Sequence, residues 1–160
     1  MSYRRAVRTL IVVMASVMAS ASLAAARDLA LVSNKANAVS AITLAELVKV
    51  CKAQTPHWTD GKPVTFVMRA PSDPEMKALL EKVYEMQEAE VTALIGTANH
   101  GRTNHPAILV ANSDEDLVNK VASIPGAVGV VDVYSINSSV LVLKVGGKLP
   151  LEPGYPLHGN

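Results

Sequence analysis

Cysteine is almost missing from this chain: among 160 residues there is one, Cys51. That excludes an intramolecular disulfide and any cysteine-rich metal site, even in an oxidising compartment. Aromatic residues are scarce too, with one Trp, one Phe and four Tyr, so the core must be built from aliphatic side chains. There is no glycine-rich dinucleotide fingerprint and no phosphate-loop lysine motif, which removes the usual sequence warrants for nucleotide binding. A Gly-x-Ser-x-Gly elbow, a His-Glu-x-x-His helix and a paired-carboxylate signature are also missing, so no enzyme is expected. His57, His100, His105 and His158 are scattered over loop-like sequence. His100 and His105 lack the i, i+4 spacing that puts two imidazoles on one helix face, so neither a metal nor a cofactor is expected.

Charge of either sign is not in excess. Fifteen Lys and Arg face fourteen Asp and Glu, a balance that implies neither nucleic acid nor an anionic membrane as partner. The N-terminus departs from the rest. Arg4, Arg5 and Arg8 precede an apolar run from Leu10 to Met18, and Ala24-Ala25-Ala26 supplies the small residues at which exported chains are cut. Residues 1–26 are therefore expected to be a secretory signal peptide that sends the remainder to the periplasm. Ser16, Ser20 and Ser22 interrupt the run, which falls short of the roughly twenty apolar residues of a spanning helix, so no membrane span is expected after cleavage. The remainder is one domain's worth of chain: residues 27–147 as an α/β domain and 148–160, with three prolines, as an extended tail.

Strand and helix signals alternate along that domain. Leu29 to Ser33, Val64 to Met68, Ala107 to Ala111, Val128 to Val133 and Val140 to Val145 are apolar runs of strand length. Thr43-Leu44-Ala45-Glu46 fits a capping box, and Leu44, Leu47, Val48 and Cys51 follow at helical spacing, placing Cys51 in the core. Met76, Leu79, Leu80, Val83 and Tyr84 form the stripe of an amphipathic helix. A further helix spans Glu88 to Ile95 and stops near Gly96, leaving Thr97 to His105 as an exposed loop. Ser113 caps another, with Asp116 at its third position and Leu117, Val118 and Val121 as its buried stripe, and Pro125-Gly126 ends it. Trp58 is expected to anchor its loop to the core. The alternation argues for a three-layer α/β domain around a mixed, mostly parallel sheet.

The strand ending at Arg69 runs directly into a helix start at Ser72-Asp73-Pro74-Glu75. A guanidinium beside free helix N–H groups makes a seat for an oxyanion, which makes Arg69, Ser72 and Asp73 the leading candidates. Ser113, also at a helix start, is the next. The competing reading is an Arg69–Asp73 surface pair with Ser72 as a simple cap.

Asn34 to Ser40, Ile42 to Leu47, Trp58 to Val64 with Arg69, and Ser123 to Val130 together resemble the phosphate-type substrate-binding proteins of ABC transporters, over about Asp28 to Leu157. The resemblance implies a periplasmic-binding-protein-like lobe that binds phosphate or a related oxyanion, with an ABC permease or another envelope protein as partner. In that family the arginine is followed by a Ser-Gly-Thr turn and the anion lies between two lobes. Here Ala70-Pro71-Ser72-Asp73-Pro74 follows Arg69, and most of the first lobe has no counterpart. The resemblance thus implies weak binding, in phosphate uptake or sensing, and makes a homodimer that completes the cleft plausible. The alternative is a non-transport envelope interaction module that has lost its ligand.

Overall fold

The computed structural model describes residues 27–159, so the expected signal peptide lies outside the described residues. Among the described residues, seven strands and four α-helices run in the order β1 (Leu29–Ser33), β2 (Ala41–Ile42), α1 (Leu44–Cys51), β3 (Thr65–Arg69), α2 (Lys77–Leu79), α3 (Glu88–Asn99), β4 (Ile108–Ala111), α4 (Asp114–Ser123), β5 (Ala127–Asp132), β6 (Leu141–Val142) and β7 (Lys144–Val145). Five strands form the central sheet in the order β4-β3-β5-β1-β6, and β2 pairs with β7 apart from it. β3 lies parallel to β4 and β5, while β1 is antiparallel to β5 and β6. Four of the five strands therefore share a direction, as expected of a mixed, mostly parallel sheet.

Both faces of this sheet are covered, which explains why β1 and β5 are buried along their whole length. Leu29 and Leu31, Phe66 and Met68, and Val128 and Val130 point into one core with α1, residues 76–84 and Val91. Ala30 and Val32, Val67, and Ala127 and Val131 point the other way, against Leu117, Val118 and Val121 of α4. Gly129 allows α4 to approach closely: a Cβ there would stand 2.9 Å from both Val121 Cγ2 and the Val67 carbonyl oxygen.

Cap chemistry follows the residues. Thr43 closes α1 with a complete capping box to Glu46, and Ser113 Oγ accepts the Asp116 N–H at 3.0 Å. In α1 the buried residues are Leu47, Val50 and Cys51, whereas Leu44 is exposed on the opening turn. The 74–84 segment buries its whole expected stripe, yet it is not one regular helix. A 3-10 turn (Pro74–Met76) leads into α2, and a π turn (Leu80–Tyr84) ends at Glu85 in the left-handed region. Helix α3 continues through Gly96 to Asn99, whose side chain secures the extra turn: it donates to the Ile108 carbonyl at 2.7 Å and accepts the Ile108 N–H at 3.0 Å. The exposed loop is correspondingly shorter.

Two further differences lie near the C-terminus. The single strand expected over 140–145 is split at buried Leu143 between the two sheets. Of the expected tail, residues 148–159 fold back in turns instead of extending, burying Tyr155 and Leu157. Leu29 N–H donates to the Leu157 carbonyl at 3.0 Å and Tyr155 Oη donates to the Leu29 carbonyl at 2.7 Å. Prolines limit this segment's conformations but do not keep it from packing.

Candidate functional site

Arg69 is the last residue of β3, paired in register with Ala111, the last of β4. The chain leaving β3 packs on one face of the sheet and α4, leaving β4, packs on the other. The ends of β3 and β4 therefore flank a topological switch point at the carboxyl edge, where the two connections diverge. The crossovers bring two distant sequence segments, 69–75 and 112–116, to that edge.

The guanidinium fills this position and is already engaged. Arg69 Nη2 donates to Asp73 Oδ2 at 2.7 Å and Nη1 donates to Asp114 Oδ1 at 2.7 Å, with Glu75 Oε2 3.8 Å away. Asp73 Oδ1 accepts the Glu75 N–H at 3.0 Å, so Asp73, and not Ser72, caps the turn. Pro74 contributes no N–H. Asp114 Oδ2 accepts Ser135 Oγ at 2.6 Å, which ties the end of β5 to the same cluster. Arg69, Asp73 and Asp114 each expose under a fifth of their side chains.

One cation thus faces three carboxyl groups, a formal charge of about −2 when all are ionised. Burial opposes the charge on Arg69, but its hydrogen bond to Asp114 and the fields of Asp73, Asp114 and Glu75 outweigh it and raise its pKa. Glu75 is held toward its neutral form: burial first, then Asp114 and Asp73, raise its pKa above 4.5 against the lowering field of Arg69. A protonated Glu75 lowers the cluster's negative charge.

Ser72 is exposed and its hydroxyl has no hydrogen-bond partner among the described residues. With Pro71, Lys77 and Gln87 it lines a shallow depression of about 280 Å³ beside the cluster. Ser113 caps α4 next to Asp114, and the Asn112 N–H is taken by Asp116 Oδ2 at 2.9 Å. The structure thus gathers Arg69, Asp73 and Asp114 in direct contact and sets Ser72 and Ser113 at the rim. Sequence alone does not single out Asp114, Glu75 or Ser135. The signal for Asp114 is the acidic run after Ser113, which becomes meaningful only once β3 and β4 are known to be neighbours.

No family model and no curated protein matches the chain. Solved structures do. An ABC-type phosphate transport receptor from Vibrio cholerae superposes with a TM-score of 0.67 at 20% identity, covering 83% of this chain and 54% of the receptor. The fold is that of the phosphate-type substrate-binding proteins. A putative phosphate ABC transporter substrate-binding protein with bound phosphate from Clostridium perfringens gives 0.59 at 21% identity over 76% of this chain and 46% of that one. PstS from Borrelia burgdorferi gives 0.63 at 15% identity over 84% and 55%. The chain spans about half the length of these structures. Among the described residues no helix is long and apolar enough to cross a membrane.

Proposed function

We propose that this protein is an exported solute-binding lobe that takes phosphate or a related oxyanion weakly at Arg69, in phosphate uptake or sensing in the periplasm. The observation that carries the reading is the position of Arg69 at the switch point of an open α/β sheet, beside Ser72 and Ser113. Neighbours in fold that are described as phosphate receptors lend it support. An incoming oxyanion competes with Asp73 and Asp114 for the guanidinium and meets their negative charge, which leaves little net gain. A ligand that brings its own proton suits the cluster, since a remaining carboxylate then accepts a hydrogen bond instead of repelling a charge. Affinity in the high micromolar to millimolar range is expected, and a second copy or an envelope protein closing the edge would strengthen it by excluding water.

Calorimetric titration with phosphate, sulfate and molybdate tests this: heat is expected with at least one and lost in Arg69→Ala. No heat with any of them would overturn it. A second reading, an interaction module without a ligand, is favoured by one specific observation, that both terminal nitrogens of Arg69 already pair with carboxylates, those of Asp73 and Asp114. Under that reading Arg69→Ala lowers thermal stability and changes no titration.

A further inference from the structure

The opposite edge of the sheet carries the reverse charge. The segments entering β3 and β4, residues 52–63 and 100–106, enclose a groove of about 420 Å³ lined by His57, Arg102, Thr103, Asn104 and His105, with Pro63 and Val64 as part of its apolar wall. A second depression of about 410 Å³ shares Arg102 and adds Lys52 and His100. No acidic residue lines either one. Among the described residues Lys52 and Arg102 have no carboxylate partner. The only carboxylate in 52–63 is Asp60, held by Lys62 at 2.6 Å, and residues 97–107 contain none.

This concentration is unexpected in a chain of near-neutral balance, and none of it serves packing. His57, Arg102, Thr103, Asn104 and His105 are all exposed. The loop that bears four of them is positioned by the two Asn99–Ile108 hydrogen bonds at its base, and Gly101, at φ 73°, turns it. The groove is therefore fixed at its root while its rim offers donors: a guanidinium, two imidazoles, a hydroxyl and an amide. Its volume is within the range of small-molecule sites and far exceeds one tetrahedral anion.

We propose that this groove is a second binding site, distinct from Arg69, for a small phosphorylated organic molecule. The phosphoryl group lies against Arg102, His57 and His105, where planar and single donors converge on its oxygens. The organic part lies along Pro63 and Val64, with Thr103 and Asn104 in reach of its hydroxyl groups. A free phosphate ester and a phosphatidic acid headgroup share this chemistry, and the experiment separates them.

Glycerol 3-phosphate, titrated into the mature protein calorimetrically and by amide chemical-shift mapping, is expected to bind and to move signals of residues 56–64 and 100–106. Binding should weaken about tenfold in Arg102→Ala and further in the His57→Gln, His105→Gln double variant. Unmodified glycerol should not bind. Sedimentation with phosphatidic acid vesicles that Arg102→Ala abolishes would support the same chemistry presented by a lipid. Binding to neither probe, or binding that survives Arg102→Ala and the double variant, overturns the proposal. Circular dichroism of each variant ensures that a loss reflects the groove and not the fold.

Discussion

Replacing Asp114 by Asn should tighten oxyanion binding at Arg69 although it removes an ion pair. Asp114 accepts from Arg69 at 2.7 Å and from Ser135 at 2.6 Å, and an amide carbonyl can keep one of these contacts in a side chain of the same shape. What changes is the charge beside the ligand. Two like unit charges about 4 Å apart repel by about 4 kcal/mol at an effective dielectric of 20 and by about 1 kcal/mol in bulk water. With Asp114 19% exposed, a value near 2 kcal/mol lies between these limits, a gain of about thirtyfold in affinity. The lost ion pair costs about 1 to 3 kcal/mol of stability for a charged hydrogen bond this sheltered, less than the roughly 5 to 15 kcal/mol that holds a typical domain folded. Isothermal titration with phosphate at low ionic strength reads the gain directly. Repeating it near 1 M salt, where the screening length falls to about 3 Å, should erase most of it. Ser135→Ala, which leaves the charge in place, should not reproduce it. An Asp114→Asn protein that binds phosphate no better than wild type at low salt would refute the electrostatic reading of this site.

Glu75 links the cluster to pH. Because its folded pKa is raised, by burial first and Asp114 next, its ionisation is unfavourable in the folded protein, and stability is recovered as pH falls through the raised value toward 4.5. Glu75→Gln should therefore melt higher than wild type at pH 7, with the difference disappearing in that window; a gap independent of pH would count against it. Gly126→Ala should cost at least about 3 kcal/mol by urea denaturation, since φ is 89° and its Cβ would stand 2.0 Å from the Pro63 carbonyl oxygen; a loss below about 1 kcal/mol would show that the turn yields easily. Tyr155→Phe removes a buried hydrogen bond of 2.7 Å to Leu29 and should lower stability by about 1 kcal/mol, while deletion of residues 148–160 should lower the melting temperature much further. An unchanged melting temperature after that deletion would mean that the tail is not part of the fold.

Local signals are legible in the sequence because their causes are local. The capping box at Thr43, the Ser113 cap and the 76–84 stripe are set by residues within a few positions of each other, and each stands where periodicity and cap chemistry place it. Trp58 anchors its loop through a donation from Nε1 to the Gly126 carbonyl at 2.8 Å. The departures share a different cause. Helix α3 passes Gly96 because of a bond between residues nine apart, across the turn into the next strand. The 140–145 run divides because Leu141 has a partner in β1 and Lys144 one in β2. The tail packs because buried Tyr155 finds the Leu29 carbonyl 126 positions away. Composition carries none of that information.

The candidate site shows the same division within a few ångströms. That a strand ends at Arg69 and a turn opens beyond it is readable from 64–75 alone. Which residue closes that turn is not, because Ser72 and Asp73 are both competent caps and the role falls to the one that also reaches the guanidinium. The second carboxylate is less legible still, since Asp114 comes 45 residues later and depends on β4 pairing beside β3 in register. Yet that long-range contact decides the chemistry. With Asp73 alone, Arg69 would be half of a surface pair with donors to spare; with Asp114 and Glu75 added, it is a cation enclosed by excess negative charge. Whether an oxyanion can bind is therefore governed by the carboxylates around Arg69, and a substitution among them should move affinity more informatively than any substitution of Ser72.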